Sequence, residues 1–146
     1  YCIVPNEELR NRLFSWMAAN ELDEPHIFAP IATMAAFNEG EEWRRQMLHY
    51  IEGNIMFVEE YLKENLPQIK PLRPQASFLV WLDCRRLRLQ HDALVSLFVD
   101  EAGLALNDGE MFGKGGEGFM RMNIASPRAV LREALGRLKD AVERRK

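Results

Sequence analysis

Apolar positions step by three and four through the first 66 residues, alternate in short runs from residue 77, and return to the helical step at the end. The longest of these patterns is the clearest. Trp43, Met47, Ile51, Ile55, Val58 and Leu62 are spaced by four, four, four, three and four, while Glu41, Glu42, Arg44, Arg45, Glu59 and Glu60 lie off that stripe. The spacing predicts one helix over 41–66. At roughly 1.5 Å per residue it spans about 39 Å, more than a small domain needs for itself, so it is expected to join two domains. Upstream, Asn6 is set to cap a helix whose first turn carries Glu7 and Glu8, with Leu9, Leu13, Trp16 and Met17 as its buried face. Pro25 and Pro30 bracket a loop, and Ile31, Met34, Ala35 and Phe37 suggest a short helix ending near Asn38-Glu39-Gly40. Tyr1 to Val4 has the chemistry of a strand, stopped by Pro5-Asn6.

Beyond Pro67, Pro71 and Pro74 the period changes. Phe78, Val80 and Leu82 alternate with Ser77, Leu79, Trp81 and Asp83, which predicts a strand with one wholly apolar face. Leu89 to Ala102 reads as a helix ended by Gly103, and Leu104-Ala105-Leu106 as a short strand before the turn Asn107-Asp108-Gly109. Phe119 to Ile124 is the next strand. Ser126, as cap, and Pro127, at the first helical position, then start a last helix, which Leu131, Leu135, Leu138 and Val142 hold to the sheet. The fold class is α+β, with helices packed on one face of a small, mainly antiparallel sheet.

Composition narrows the function classes. A chain of 146 residues, 47% apolar and 10% aromatic, can bury a core, which excludes disorder. The net charge of −3 gives no global attraction to nucleic acid; Arg85, Arg86 and Arg88, and the end Arg144-Arg145-Lys146, read as solvated surface. Cys2 and Cys84 make no disulfide framework, and with His26, His49 and His91 they show no zinc spacing, so no metal site is expected. No apolar run reaches the eighteen residues of a membrane span, and Tyr1 to Pro5 is not a secretion signal. A cytoplasmic location is the expectation.

Gly113-Lys114-Gly115-Gly116-Glu117-Gly118 matches G-x-G-x-x-G in form. A dinucleotide fingerprint, however, follows a strand and opens a helix, whereas this run opens a strand. A turn in which glycines take positive φ is the simpler reading. Strand alternation puts Phe119, Arg121 and Asn123 on one face and Met120, Met122 and Ile124 on the other. An arginine on a half-buried face needs a carboxylate. That carboxylate is either a structural partner such as Asp83 or one carried by a ligand. His26 reads as an ordinary loop histidine, and His49 and His91 have no companions in sequence.

The run from Phe112 through Gly113-Lys114-Gly115-Gly116-Glu117-Gly118-Phe119-Met120-Arg121-Met122-Asn123 to Arg128 resembles the substrate-carboxylate segment of fold-type I pyridoxal-phosphate (PLP) enzymes of the class I/II aminotransferase superfamily. With Pro5-Asn6-Glu7-Glu8-Leu9-Arg10, Glu41-Glu42-Trp43 and Trp81-Leu82-Asp83, it is most similar to the cystathionine β-lyase/C-S lyase branch. The resemblance covers nearly the whole chain but only the C-terminal portion of such an enzyme. It implies that residues 1–40 are a remnant of the large PLP-binding domain, 41–66 the interdomain helix and 67–146 the small domain. It also implies an amino-acid substrate whose α-carboxylate Arg121 grips as a bidentate fork, and a substrate entrance bordered by Gly115, Gly116 and Gly118. Further implications are a homodimer and an interface position for His26 and Phe28 near the neighbouring subunit's cofactor phosphate. In the family the Schiff-base lysine, the cofactor aspartate and the ring-stacking aromatic all lie upstream of the segment matching Tyr1 to Pro5. The lysines at 63, 70, 114, 139 and 146 lack the expected setting. The chain alone is therefore expected to hold no catalytic residue, bind no PLP and be inactive, while the full-length enzyme uses PLP. The alternative is a stand-alone binding or interaction module that keeps the small-domain fold without the chemistry. An apolar strand at Tyr1-Cys2-Ile3-Val4, as if cut from a larger sheet, argues against it.

Overall fold

The computed structural model describes residues 2–145, which divide into two compact units at Arg45 and Gln46. The first unit contains helix α1 (Glu7–Ala19), helix α2 (Phe28–Glu39) and the start of helix α3 (Glu41–Asn65). Asn6 caps α1 as expected, its side-chain oxygen accepting the Leu9 N–H at 2.9 Å. The expected buried face of α1 does not form: Leu13 and Met17 are half-buried, and Leu9 and Trp16 are exposed. α2 starts at Phe28, ahead of Pro30, because a first-turn residue needs no intrahelical N–H partner. Apolar around most of its circumference, α2 buries no residue. Cys2 to Val4 lies in no strand, and Tyr1 falls outside the described residues.

The second unit holds the rest of α3, strand β1 (Lys70–Leu72), strand β2 (Leu79–Asp83), helix α4 (His91–Ser96), strand β3 (Asn107–Asp108), strand β4 (Phe119–Asn123) and helix α5 (Arg128–Arg144). A wider, π-type turn at Leu97–Glu101 prolongs α4, and a tight helical turn at Gly109–Phe112 follows β3. The sheet has order β1-β2-β4-β3, each pair antiparallel. Val80, Leu82, Met120 and Met122 form its buried face, in one cluster with Ile55, Val58 and Leu62 of α3 and Leu131, Leu135 and Leu138 of α5. The fold is α+β with helices on one side of the sheet, as the pattern predicts.

Three local expectations give way to hydrogen bonding. The strand expected at Leu104–Leu106 is absent there because the Leu104 N–H donates to Phe98 O at 2.7 Å and the Leu106 N–H to Leu104 O at 2.9 Å, leaving neither for a ladder. β3 forms just after it, and β1 is an additional edge strand, where Pro71 is tolerated. Ser126 does not cap α5. Pro127 occupies the cap position, and the Arg128 N–H finds the Tyr50 hydroxyl at 2.8 Å. Arg145, expected to be merely solvated, donates from Nε to Glu101 at 2.9 Å and from Nη1 to Ala93 O at 3.0 Å, fastening the end of α5 to the α4 segment.

Candidate functional site

Met120 and Met122 are buried against the helices, so Arg121 between them emerges on the other face of the sheet, half-buried. Register sets its neighbours: Trp81 of β2 lies opposite on one side and Asn107 of β3 on the other. Nη2 of Arg121 donates to the Asn107 side-chain oxygen at 3.0 Å. The guanidinium carbon stands 4.2 Å from the centre of the Phe112 ring, a cation–π stack. Nε is buried without a hydrogen-bond partner.

The ion pair with Asp83 considered from the sequence does not form. Asp83 faces Phe119 in the register, two positions from Arg121. Its carboxylate instead takes Nε and Nη2 of Arg85 at 2.9 and 2.7 Å and the Arg85 backbone N–H at 3.1 Å. Those hydrogen bonds hold the Asp83 carboxyl below the usual carboxylate range. Among the described residues Arg121 has no carboxylate partner.

Phe112 also walls an open depression with Leu72, Trp81, Phe119 and the glycine loop. Trp81 meets Phe112 and Phe119 edge to face, with ring centres 5.3 and 6.2 Å apart. Gly113, Gly115 and Gly118 all have positive φ, as expected for a turn rather than a dinucleotide loop. Gly116 is different: a Cβ there would collide with the Gly109 carbonyl, so the two backbones touch.

Sequence reasoning missed His91. The fold sets its Nδ1 2.9 Å from a Glu110 carboxylate oxygen and its Nε2 3.4 Å from Asp108, partners seventeen or more positions away that no local spacing announces. His26 lies in the first unit, exposed, its Nδ1 accepting the Phe28 N–H at 3.3 Å and its ring 5.2 Å from that of Phe28. Cys84 is buried and its thiol is pushed up to about 12 by desolvation, which makes it inert. Among the described residues no group of three His, Cys, Asp or Glu can hold a metal ion, and no helix is long and apolar enough to cross a membrane.

No family model matches the chain. It is 34% identical over 140 residues to cystathionine β-lyase PatB of Bacillus subtilis strain 168, covering 96% of this chain and 36% of that protein. Its fold matches a PLP-bound protein of Clostridium difficile 630 with a TM-score of 0.92 and 37% identity, covering 96% of this chain and 36% of that one. The chain matches the C-terminal part of fold-type I PLP-dependent enzymes. The PLP-bound C-S lyase of Staphylococcus hominis matches with a TM-score of 0.84 and 29% identity, over 96% of this chain and 36% of that one. The chain spans about a third of the length of the curated relatives it matches. A lysine that anchors PLP must be held unprotonated, by desolvation or a neighbouring cation. Lys63, Lys70 and Lys114 are exposed, and Lys139 lies 4.0 Å from Glu143, so these four do not fit that role.

Proposed function

We propose that this chain is the substrate-carboxylate part of a PLP-dependent aminotransferase or C-S lyase acting on amino acids, with Arg121 as the residue that receives the α-carboxylate. The observation that carries the reading is the state of the guanidinium: stacked on Phe112, bonded once to a neutral amide, and left with a buried, unpartnered Nε–H. A half-buried cation without an anion carries a desolvation cost, and an incoming carboxylate relieves it with two parallel hydrogen bonds. PLP supplies an electron sink in such enzymes; the part of this chain is to orient the substrate. In this reading residues 1–40 belong to the large domain, α3 joins the domains, and 67–146 form the small domain. Gly115, Gly116 and Gly118 border the entrance, while His26 and Phe28 lie at a homodimer interface near the partner's cofactor. Catalytic lysine and cofactor partners come from outside the chain, which is inactive alone. Two free cysteines suit a cytoplasmic enzyme. A stand-alone module is disfavoured by α1 and α2, whose apolar side chains an independent domain would cover or replace.

The test is substitution in the enzyme that carries this chain. Arg121→Lys keeps the charge but not the fork, and is expected to lower kcat/KM about ten- to a hundredfold, the worth of a charge-assisted hydrogen bond. Arg121→Ala should fall further. Unchanged kcat/KM in both variants would assign Arg121 a structural role.

A further inference from the structure

We propose that His91 is a positioning residue for carboxylate binding, an inference that rests on Arg121 being the carboxylate site. The two side chains that hold the guanidinium, Asn107 and Phe112, stand at the two ends of one six-residue segment. Only Asn107 and Asp108 of that segment pair with β4. The rest is a single tight turn, fixed by the Asp108 carboxylate accepting the Glu110 N–H at 3.1 Å and by the touching backbones of Gly109 and Gly116. His91, the first residue of α4, reaches this turn from a separate element and meets both of its carboxylates, Glu110 through Nδ1 at 2.9 Å and Asp108 through Nε2 at 3.4 Å.

A neutral imidazole has one N–H and one lone pair, so it can donate to only one of two carboxylates. The imidazolium carries a proton on each nitrogen and is attracted to both carboxylates. Protonated His91 therefore latches the turn at two points; once neutral, it turns a lone pair toward an oxyanion and releases one of them. Arg85, Glu117 and the buried Cys84 line the same recess, and Asp92 follows on α4. Arg85 is already taken by Asp83, so the carboxylates Asp108 and Glu110 are left to the imidazole. When the latch loosens, Asn107 and Phe112 move with the turn, and the guanidinium loses its fixed orientation. Carboxylate affinity is then set by the protonation of a residue that never touches substrate.

Two readouts test this. In the chain itself, a pH titration by NMR follows the His91 ring nitrogens, the Arg121 Nε–H and the Phe112 ring protons. Arg121 and Phe112 are expected to shift with the His91 midpoint, and His91→Gln to abolish that shift while the rest of the spectrum persists. In the enzyme, KM for an amino acid should rise about fivefold through the same midpoint, the low end for coupled sites, with kcat steady. His91→Gln should show the higher KM at every pH. Glu110→Ala, which removes the carboxylate nearest Nδ1 and leaves the imidazole one partner in either protonation state, should give the same flat profile and serves if His91→Gln does not fold. Resonances of Arg121 that ignore the His91 midpoint overturn the latch. Co-titration with an unchanged KM profile overturns its role in binding. Wild-type KM in Arg121→Ala removes the carboxylate reading instead, and the resonances, which need no substrate, tell the two failures apart.

Discussion

Asn54 sits on the buried stripe of α3, between Ile51 and Val58, with no exposed surface. Its amide nitrogen donates to the carbonyls of Ile124 and Ser126 at 2.9 Å each, and its oxygen accepts Nε of Arg128 at 2.9 Å. One side chain thus ties α3 to the end of β4 and to the start of α5, the segment just beyond Arg121. Asn54→Leu keeps the volume but removes the hydrogen bonds of two carbonyls and of the Arg128 Nε–H, leaving that guanidinium only the Tyr50 and Phe57 rings. The expected loss is about 2–4 kcal/mol, from buried groups that each cost roughly 1–3 kcal/mol when unsatisfied. Asn54→Asp, which turns an acceptor toward two carbonyls, should also destabilise, although it keeps Arg128 as a partner. Urea unfolding measures both, and an unchanged midpoint would mean that water replaces the amide at this junction.

Among the elements, the glycine loop separates two roles of glycine. Gly113 takes φ +100° in open space, so an added methyl group meets only backbone strain. At Gly116 the methyl group would meet the Gly109 carbonyl, and the turn carrying Phe112 must open to admit it. Gly116→Ala should therefore lower Tm more than Gly113→Ala and raise KM for the amino-acid substrate, while Gly113→Ala leaves KM within about twofold. The reverse order would detach the loop from the Arg121 site. The long helix, the two main strands, the terminal helix and the face of Arg121 were all legible in the sequence, because period sets which residues share one face of a helix or strand. Arg121's surroundings were not. Asn107, Phe112 and His91 reach it, or its supports, through register and a turn, and β3 forms directly after the apolar Leu104-Ala105-Leu106 because the N–H groups of Leu104 and Leu106 are used elsewhere. Asn54 was hidden for a similar reason: a polar letter on an apolar stripe declares neither its burial nor its distant partners.

At the scale of the whole molecule, the first unit leaves Trp16 59%, Phe28 66% and Phe37 77% exposed. A helix as apolar as α2 is ordinarily covered. The chain alone is expected to self-associate through these residues, giving dimers or larger species in sedimentation velocity, and charged substitutions at Phe28 and Phe37 should shift it toward monomer. A clean monomer at high concentration would mean that the unit folds differently in isolation. The central claim, that Arg121 and a substrate carboxylate recognise each other, is tested most directly by a double-mutant cycle in the enzyme that carries this chain. The four measurements are kcat/KM for an amino acid and for its neutral α-carboxamide, each with wild type and with Arg121→Ala. The account predicts that wild type prefers the carboxylate by about ten- to a hundredfold more than Arg121→Ala does, the worth of a charge-assisted pair. An equal preference in both enzymes would contradict it.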